Sequence, residues 1–307
     1  MPGEDLRALA EKIKWNLVTD EQLLAMRLCD LPLRIEGTHL DARVQQLYHE
    51  LDARNIRFKP HVWLAEEWFT PDRIPGIAVP FYLAHPRLMK LERKQMLEVE
   101  GGTEKEFMRI LRHEAGHALD NAFRLHHKRR WRELFGYFTA PYPQSYKPRP
   151  NSRNYVLHLA AWYAQAHPAE DFAETFAVWL TPHSRWRKRY QGWPVIHKLD
   201  YLDELMGAIA GRSPMNKRRA RVDPLSEARL TLGEHYERKR QYYAFEWPAF
   251  YDRDLLRIFS KELRHASRPT AASFFRNHSR SLCRVVADGT GVHQYHQSSA
   301  PGYGAAL

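Results

Sequence analysis

His113 and His117 stand four residues apart in the run His113-Glu114-Ala115-Gly116-His117. On a helix, side chains at i and i+4 lie one above the other, so both imidazoles can reach one metal ion. Glu114 lies about 100° round the helix from His113 and can reach a water at that ion without ligating it. His-Glu-x-x-His is the zincin spacing, in which two His hold Zn2+ and the Glu serves as general base.

Such a pair works only on a well-formed helix, and the flanking residues specify one. After the Gly101-Gly102 turn, Thr103 and Glu106 have capping-box spacing. Phe107, Ile110, Leu111, Ala115, Ala118 and Leu119 then recur with helical period. The pattern predicts a buried amphipathic helix over about 104–125. Gly116 costs such a helix about 1 kcal/mol relative to Ala, which implies close approach of another backbone or of a substrate.

A catalytic zinc normally takes three protein ligands plus water. The metzincin spacing would need Gly and His at positions 120 and 123, where Asp120 and Phe123 stand. The better source is His167-Pro168-Ala169-Glu170-Asp171-Phe172-Ala173-Glu174. Pro168 suits the first turn of a helix. Glu170 and Glu174 then share one face, while Phe172, Phe176 and Trp179 line another beside the small Ala173 and Ala177. Glu170 is the candidate third ligand, and Glu174 the candidate acceptor for the second ring N–H of a ligand His. His167 and Asp171 remain competing ligands. His167 precedes Pro168, which biases its backbone out of the helix, and Asp171 points about 100° away from Glu170.

His-Glu-x-x-His followed by Glu170-x-x-Ala173-Glu174 resembles the gluzincin metallopeptidases, particularly the lethal-factor-like family and the bacterial family known as putative zinc-binding metallopeptidases. The resemblance covers about residues 75–195. It implies Glu170 as third ligand, Glu174 behind a ligand His, and Tyr163, seven residues before Glu170, as the group that steadies the oxyanion. Tyr155 and His158 are reserves for that last task. The thermolysin form is not matched, because Ala169 and Glu174 stand where it has Asn and Asp.

The chain has 307 residues, 44% hydrophobic and 27% charged, as a globular protein does. It has no apolar run of about 18 residues that would suit a membrane span. The acidic start Met1-Pro2-Gly3-Glu4-Asp5 does not read as a secretory signal. The two Cys, Cys29 and Cys283, form no framework, so a reduced cytoplasmic setting is expected.

The net charge is +11, with basic runs at 127–132, 185–190, 217–221 and 238–240, the first two interleaved with Trp or Tyr. Such runs could bind nucleic acid or steer an acidic protein substrate. A non-enzymatic nucleic-acid-binding protein with a structural metal is therefore the alternative reading. Against it, structural zinc sites are usually Cys-rich.

Elsewhere the sequence predicts a short helix from Thr19 to near Cys29 and an amphipathic helix over 38–53. Strands are expected at 58–65 and 77–83, and Pro80 marks the second as an edge able to pair with an extended substrate. Residues 135–153, rich in Pro and Tyr, read as an ordered aromatic loop. Helices are expected at 183–190, 199–210, 225–243 and 252–264, with a basic linker over 211–224.

The expected architecture is α+β: a zincin-like domain with a small edge-stranded sheet, an active-site helix and a helical C-terminal extension. Its divisions are an N-terminal lead over 1–55, a catalytic core over 56–210, the extension over 211–296 and a disordered tail over 297–307. The expected activity is peptide-bond hydrolysis with one zinc per chain. His113, His117 and Glu170 would be the ligands, Glu114 the base and Tyr163 the oxyanion donor, acting on a peptide or protein.

Overall fold

The computed structural model describes residues 15 and 17–245 apart from 97, 144, 145, 147 and 151, together with 259, 268, 271, 274, 275 and 282. The helix expected at 252–264, apart from residue 259, and the tail from 297 lie outside the described residues. The fold is α+β, as expected: among the described residues, nine α-helices surround one two-stranded parallel sheet. None of these helices is long and apolar enough to cross a membrane.

Helix α1 (Asp20–Ala25) is capped by Thr19, and the chain re-forms a short 3-10 turn at Leu28–Asp30 rather than running as one helix to Cys29. Helix α2 (His39–Ala53) follows Thr38, whose hydroxyl accepts from the Leu40 N–H, and buries Leu40, Val44, Leu47 and Leu51. Strands β1 (His61–Ala65) and β2 (Gly76–Pro80) pair in parallel, Trp63 opposite Ala78. They are shorter than the sequence implied. After Pro80 the chain tightens into a 3-10 turn over Phe81–Ala84, because Pro80 has no N–H to continue a ladder.

Strand β2 is an edge of the two-stranded sheet, as Pro80 implied, but it is not fully open. Every residue of β2 is buried, and on the side away from β1 the Ala78 N–H donates to the Phe69 carbonyl at 2.9 Å.

After α3 (Pro86–Met96) comes the motif helix α4 (Glu104–Phe123), with the capping box of Thr103 and Glu106 formed in both directions. Every apolar residue of the predicted stripe is buried. A short helix α5 (Arg129–Phe135) and the aromatic loop lead to α6 (Pro168–Leu180), which packs extensively against α4.

Gly116 is the point of closest approach. A Cβ there would lie 2.9 Å from the Ala173 Cα and 3.2 Å from Phe176 Cδ1. Gly116→Ala would gain about 1 kcal/mol in helix propensity, but overpacking against the backbone of α6 costs about 1–3 kcal/mol. The second effect dominates, so the variant should melt at lower temperature. A rise in melting temperature would show that α4 and α6 are not in contact at this glycine.

Arg112, next to the motif, ties α4 to α2. Its Nε and Nη2 both donate to the Glu50 carboxylate at 2.7 Å, and both side chains are buried. Arg112→Met would strand a buried carboxylate whose remaining partner is Gln46, at a cost of about 3–5 kcal/mol. Adding Glu50→Leu should restore most of that loss, since the pair as a unit contributes little. Chemical denaturation of both variants tests this, and equal destabilisation of the two would contradict it.

Beyond α7 (Trp186–Arg189) and α8 (Ile196–Ile209), the expected linker is extended and fastened to the sheet: His61 Nε2 contacts the Ala220 carbonyl at 2.9 Å, and Trp63 Nε1–H donates to Val222 at 3.0 Å. Residues 28–29 and 228–230 meet as antiparallel backbone, which delivers α9 (Leu232–Phe245) onto α1 and α3. One continuous apolar core runs from Leu23 through Phe107 and Phe176 to Tyr236.

Candidate metal centre

Helices α4 and α6 cross where their small residues meet, and this brings three donor atoms together. His113 Nε2 lies 3.1 Å from His117 Nε2 and 3.0 Å from Glu170 Oε2, and His117 Nε2 lies 3.2 Å from the same oxygen. Tetrahedral zinc with bonds of about 2.0–2.2 Å sets its donor atoms roughly 3.3 Å apart. The triangle is therefore of a size that would suit a single ion held by these three donors. His113, His117 and Glu170 are the one group of metal-ligating type among the described residues.

The surroundings fix the donors. His113 Nδ1 meets Glu174 Oε1 at 2.9 Å, and the Leu159 N–H donates to Glu174 Oε2 at 2.8 Å, so both oxygens of this fully buried carboxylate are engaged. Nδ1 of His113 then donates to Glu174, and Nε2 is the nitrogen that faces the other donors. Burial opposes charge on Glu170, but His117 and His113 outweigh it and hold its carboxyl well below the usual range. Burial likewise opposes protonation of His113, yet Glu170 and Glu174 outweigh it and favour the charged ring. This attraction keeps the three donors converged.

Glu114 is buried, and its Oε2 has no hydrogen-bond partner among the described residues. Its backbone carbonyl accepts from Thr70 Oγ1 at 3.2 Å, which sets the segment beside Phe69 against the motif. A buried carboxylate oxygen left unmatched is costly unless it serves a ligand or water.

Tyr163 lies in the 3-10 turn Ala160–Gln165, which packs on α6, and its ring centroid is 5.6 Å from that of His113. Burial, then the charge of Glu170, pushes its hydroxyl well above the ordinary phenol range, so it is present as a donor. The preceding Trp162 has φ +54°, a left-handed conformation unusual for a bulky residue.

The reserve residues are engaged elsewhere. Tyr155 carries the Lys198 ammonium 4.5 Å from its ring centre. His158 contacts the Arg109 carbonyl through Nε2 at 3.0 Å, and burial pushes its pKa down to about 4. The competing ligands are also committed. Asp171 pairs with Lys198 at 2.5 Å. His167 caps α6, its Nδ1 accepting from the Ala169 N–H at 3.1 Å while Nε2 meets the Ala140 carbonyl at 2.8 Å.

One residue at the site carried no sequence signal. Tyr142, in the aromatic loop, donates its hydroxyl to Glu170 Oε1 at 2.9 Å. The loop reads as a cleft wall, but nothing in its composition separates Tyr142 from Tyr137, which is 69% exposed.

Residues 88–186 match the family model described as a putative zinc-binding metallo-peptidase. That segment contains all three donors, Glu114, Tyr163 and Glu174. No curated protein and no solved structure matches the chain.

Proposed function

We propose, from the family that residues 88–186 match, that this chain is a zinc-dependent metallopeptidase of the gluzincin type. The carrying observation is the convergence of His113 Nε2, His117 Nε2 and Glu170 Oε2 beside the unpartnered carboxylate oxygen of Glu114. Zinc held by those three groups supplies a Lewis acid that polarises the scissile carbonyl and acidifies a water molecule. Glu114 accepts the proton of the attacking water and returns it to the leaving amine. Tyr163 donates its hydroxyl to the developing oxyanion. Glu174 holds His113 in the tautomer that ligates. The substrate is a peptide or protein chain.

Several residues of the basic runs serve the fold itself, which reduces the charge open to a polyanion. Lys239 pairs with Glu67 and Glu92, Arg187 with Asp203 and Arg130 with Glu204. The experiment that tests the peptidase reading is digestion of a mixed peptide library before and after chelation. Cleavage should stop with the chelator and return with zinc; cleavage indifferent to chelation would overturn the reading.

A further inference from the structure

Tyr142 belongs to none of the motifs, yet it divides the duties of the two oxygens of Glu170. Oε1 accepts the Tyr142 hydroxyl at 2.9 Å, while Oε2 faces His113 and His117 at 3.0 and 3.2 Å. A carboxylate at a metal can present one oxygen or both. A phenol O–H committed to one oxygen disfavours its use as a second ligand atom, because the hydrogen bond and the metal compete for the same lone pairs.

The position of Tyr142 is itself built. Its ring stacks on His167, with centroids 3.8 Å apart and planes 15° from parallel. His167 cannot turn freely. Its Nδ1 accepts from the Ala169 N–H, which places the ring proton on Nε2, where it donates to the Ala140 carbonyl. Pro141 and Pro143 on either side restrict the backbone of Tyr142. A platform, a loop anchor and two rigid neighbours thus aim one hydroxyl at one carboxylate oxygen. The residue as a whole is 49% exposed, so packing alone gives little reason for this aim.

We infer that Tyr142 is a positioning residue that holds Glu170 as a single-oxygen metal donor and, seated on His167, slows release of the ion. The inference rests on the metal site of the proposed function. It gives His167, a rival ligand on sequence grounds, the different task of seating the tyrosine.

Tyr142→Phe keeps the stacked ring and removes only the hydroxyl. Two readouts other than turnover report on it: the rate at which the zinc-loaded protein gives up zinc to a chelating dye, and the visible spectrum of the cobalt(II)-substituted protein. Zinc release should accelerate about 10- to 100-fold, the usual cost of losing a partner of a ligand. The cobalt bands should weaken as Glu170 adds its second oxygen to the ion. The melting temperature of the metal-free protein should fall by no more than the loss of one hydrogen bond to Glu170 accounts for. Wild-type release together with a wild-type cobalt spectrum would overturn the inference, as would an equal loss of stability in the metal-free protein. If the wild-type chain took up no zinc at all, the underlying metal site would fail with it, a result distinct from either.

Discussion

Glu114→Gln will hold one zinc per chain and lose about 10²- to 10⁴-fold in turnover, the range spanned by a positioned general base. The two halves of this expectation have separate causes. Zinc is retained because Glu114 is not among the converging donors; His113, His117 and Glu170 meet without it. Turnover falls because an amide matches the carboxylate in shape but cannot take a proton. The buried Oε2 of Glu114, with no partner among the described residues, is the atom whose chemistry changes. Metal analysis and steady-state kinetics on the same preparation separate the two effects. A zinc-loaded Glu114→Gln protein with wild-type turnover would remove Glu114 from the reaction.

Glu170→Ala should weaken zinc binding by more than about 100-fold, beyond the 10- to 100-fold typical when a residue behind a ligand is lost. His167→Ala should weaken it far less, acting only through the cap of α6 and the seat of Tyr142. The difference follows from geometry. Glu170 Oε2 lies within 3.2 Å of both Nε2 atoms, whereas both nitrogens of His167 are committed to backbone groups. Competition for zinc with a calibrated chelator measures both variants. The reverse ranking would make His167 the ligand and displace Glu170 from the account.

What could be read from the chain beforehand was local. The capping box at Thr103 and Glu106, the apolar stripe of α4 and the need for a small residue at Gly116 all follow from spacing within one helix, and the structure has all three. Glu174 stands against His113 for a similar reason, since helical period places it on the stripe of Glu170. The choice among Glu170, His167 and Asp171 was not local. It depends on which face of α6 meets α4, and on Lys198 and Ala140, which occupy the other two. Arg112 and Glu50, 62 residues apart, form a bidentate pair that no periodicity reveals. Tyr142 reaches Glu170 across 28 residues from a loop with no repeating pattern. Pro80 does mark an edge strand, but nothing local reveals that Phe69, further back, accepts from Ala78 and partly covers that edge.

Peptide cleavage in ¹⁸O-labelled water tests the central claim most directly, because it reads the zinc site and Glu114 together. The zinc-loaded wild-type chain should generate new peptide termini whose carboxyl groups carry ¹⁸O, and the zinc-loaded Glu114→Gln chain should generate about 10²- to 10⁴-fold fewer in the same time. Unlabelled termini, no termini from the zinc-loaded wild type, or labelled termini formed equally fast by both proteins would contradict hydrolysis by water that Glu114 activates.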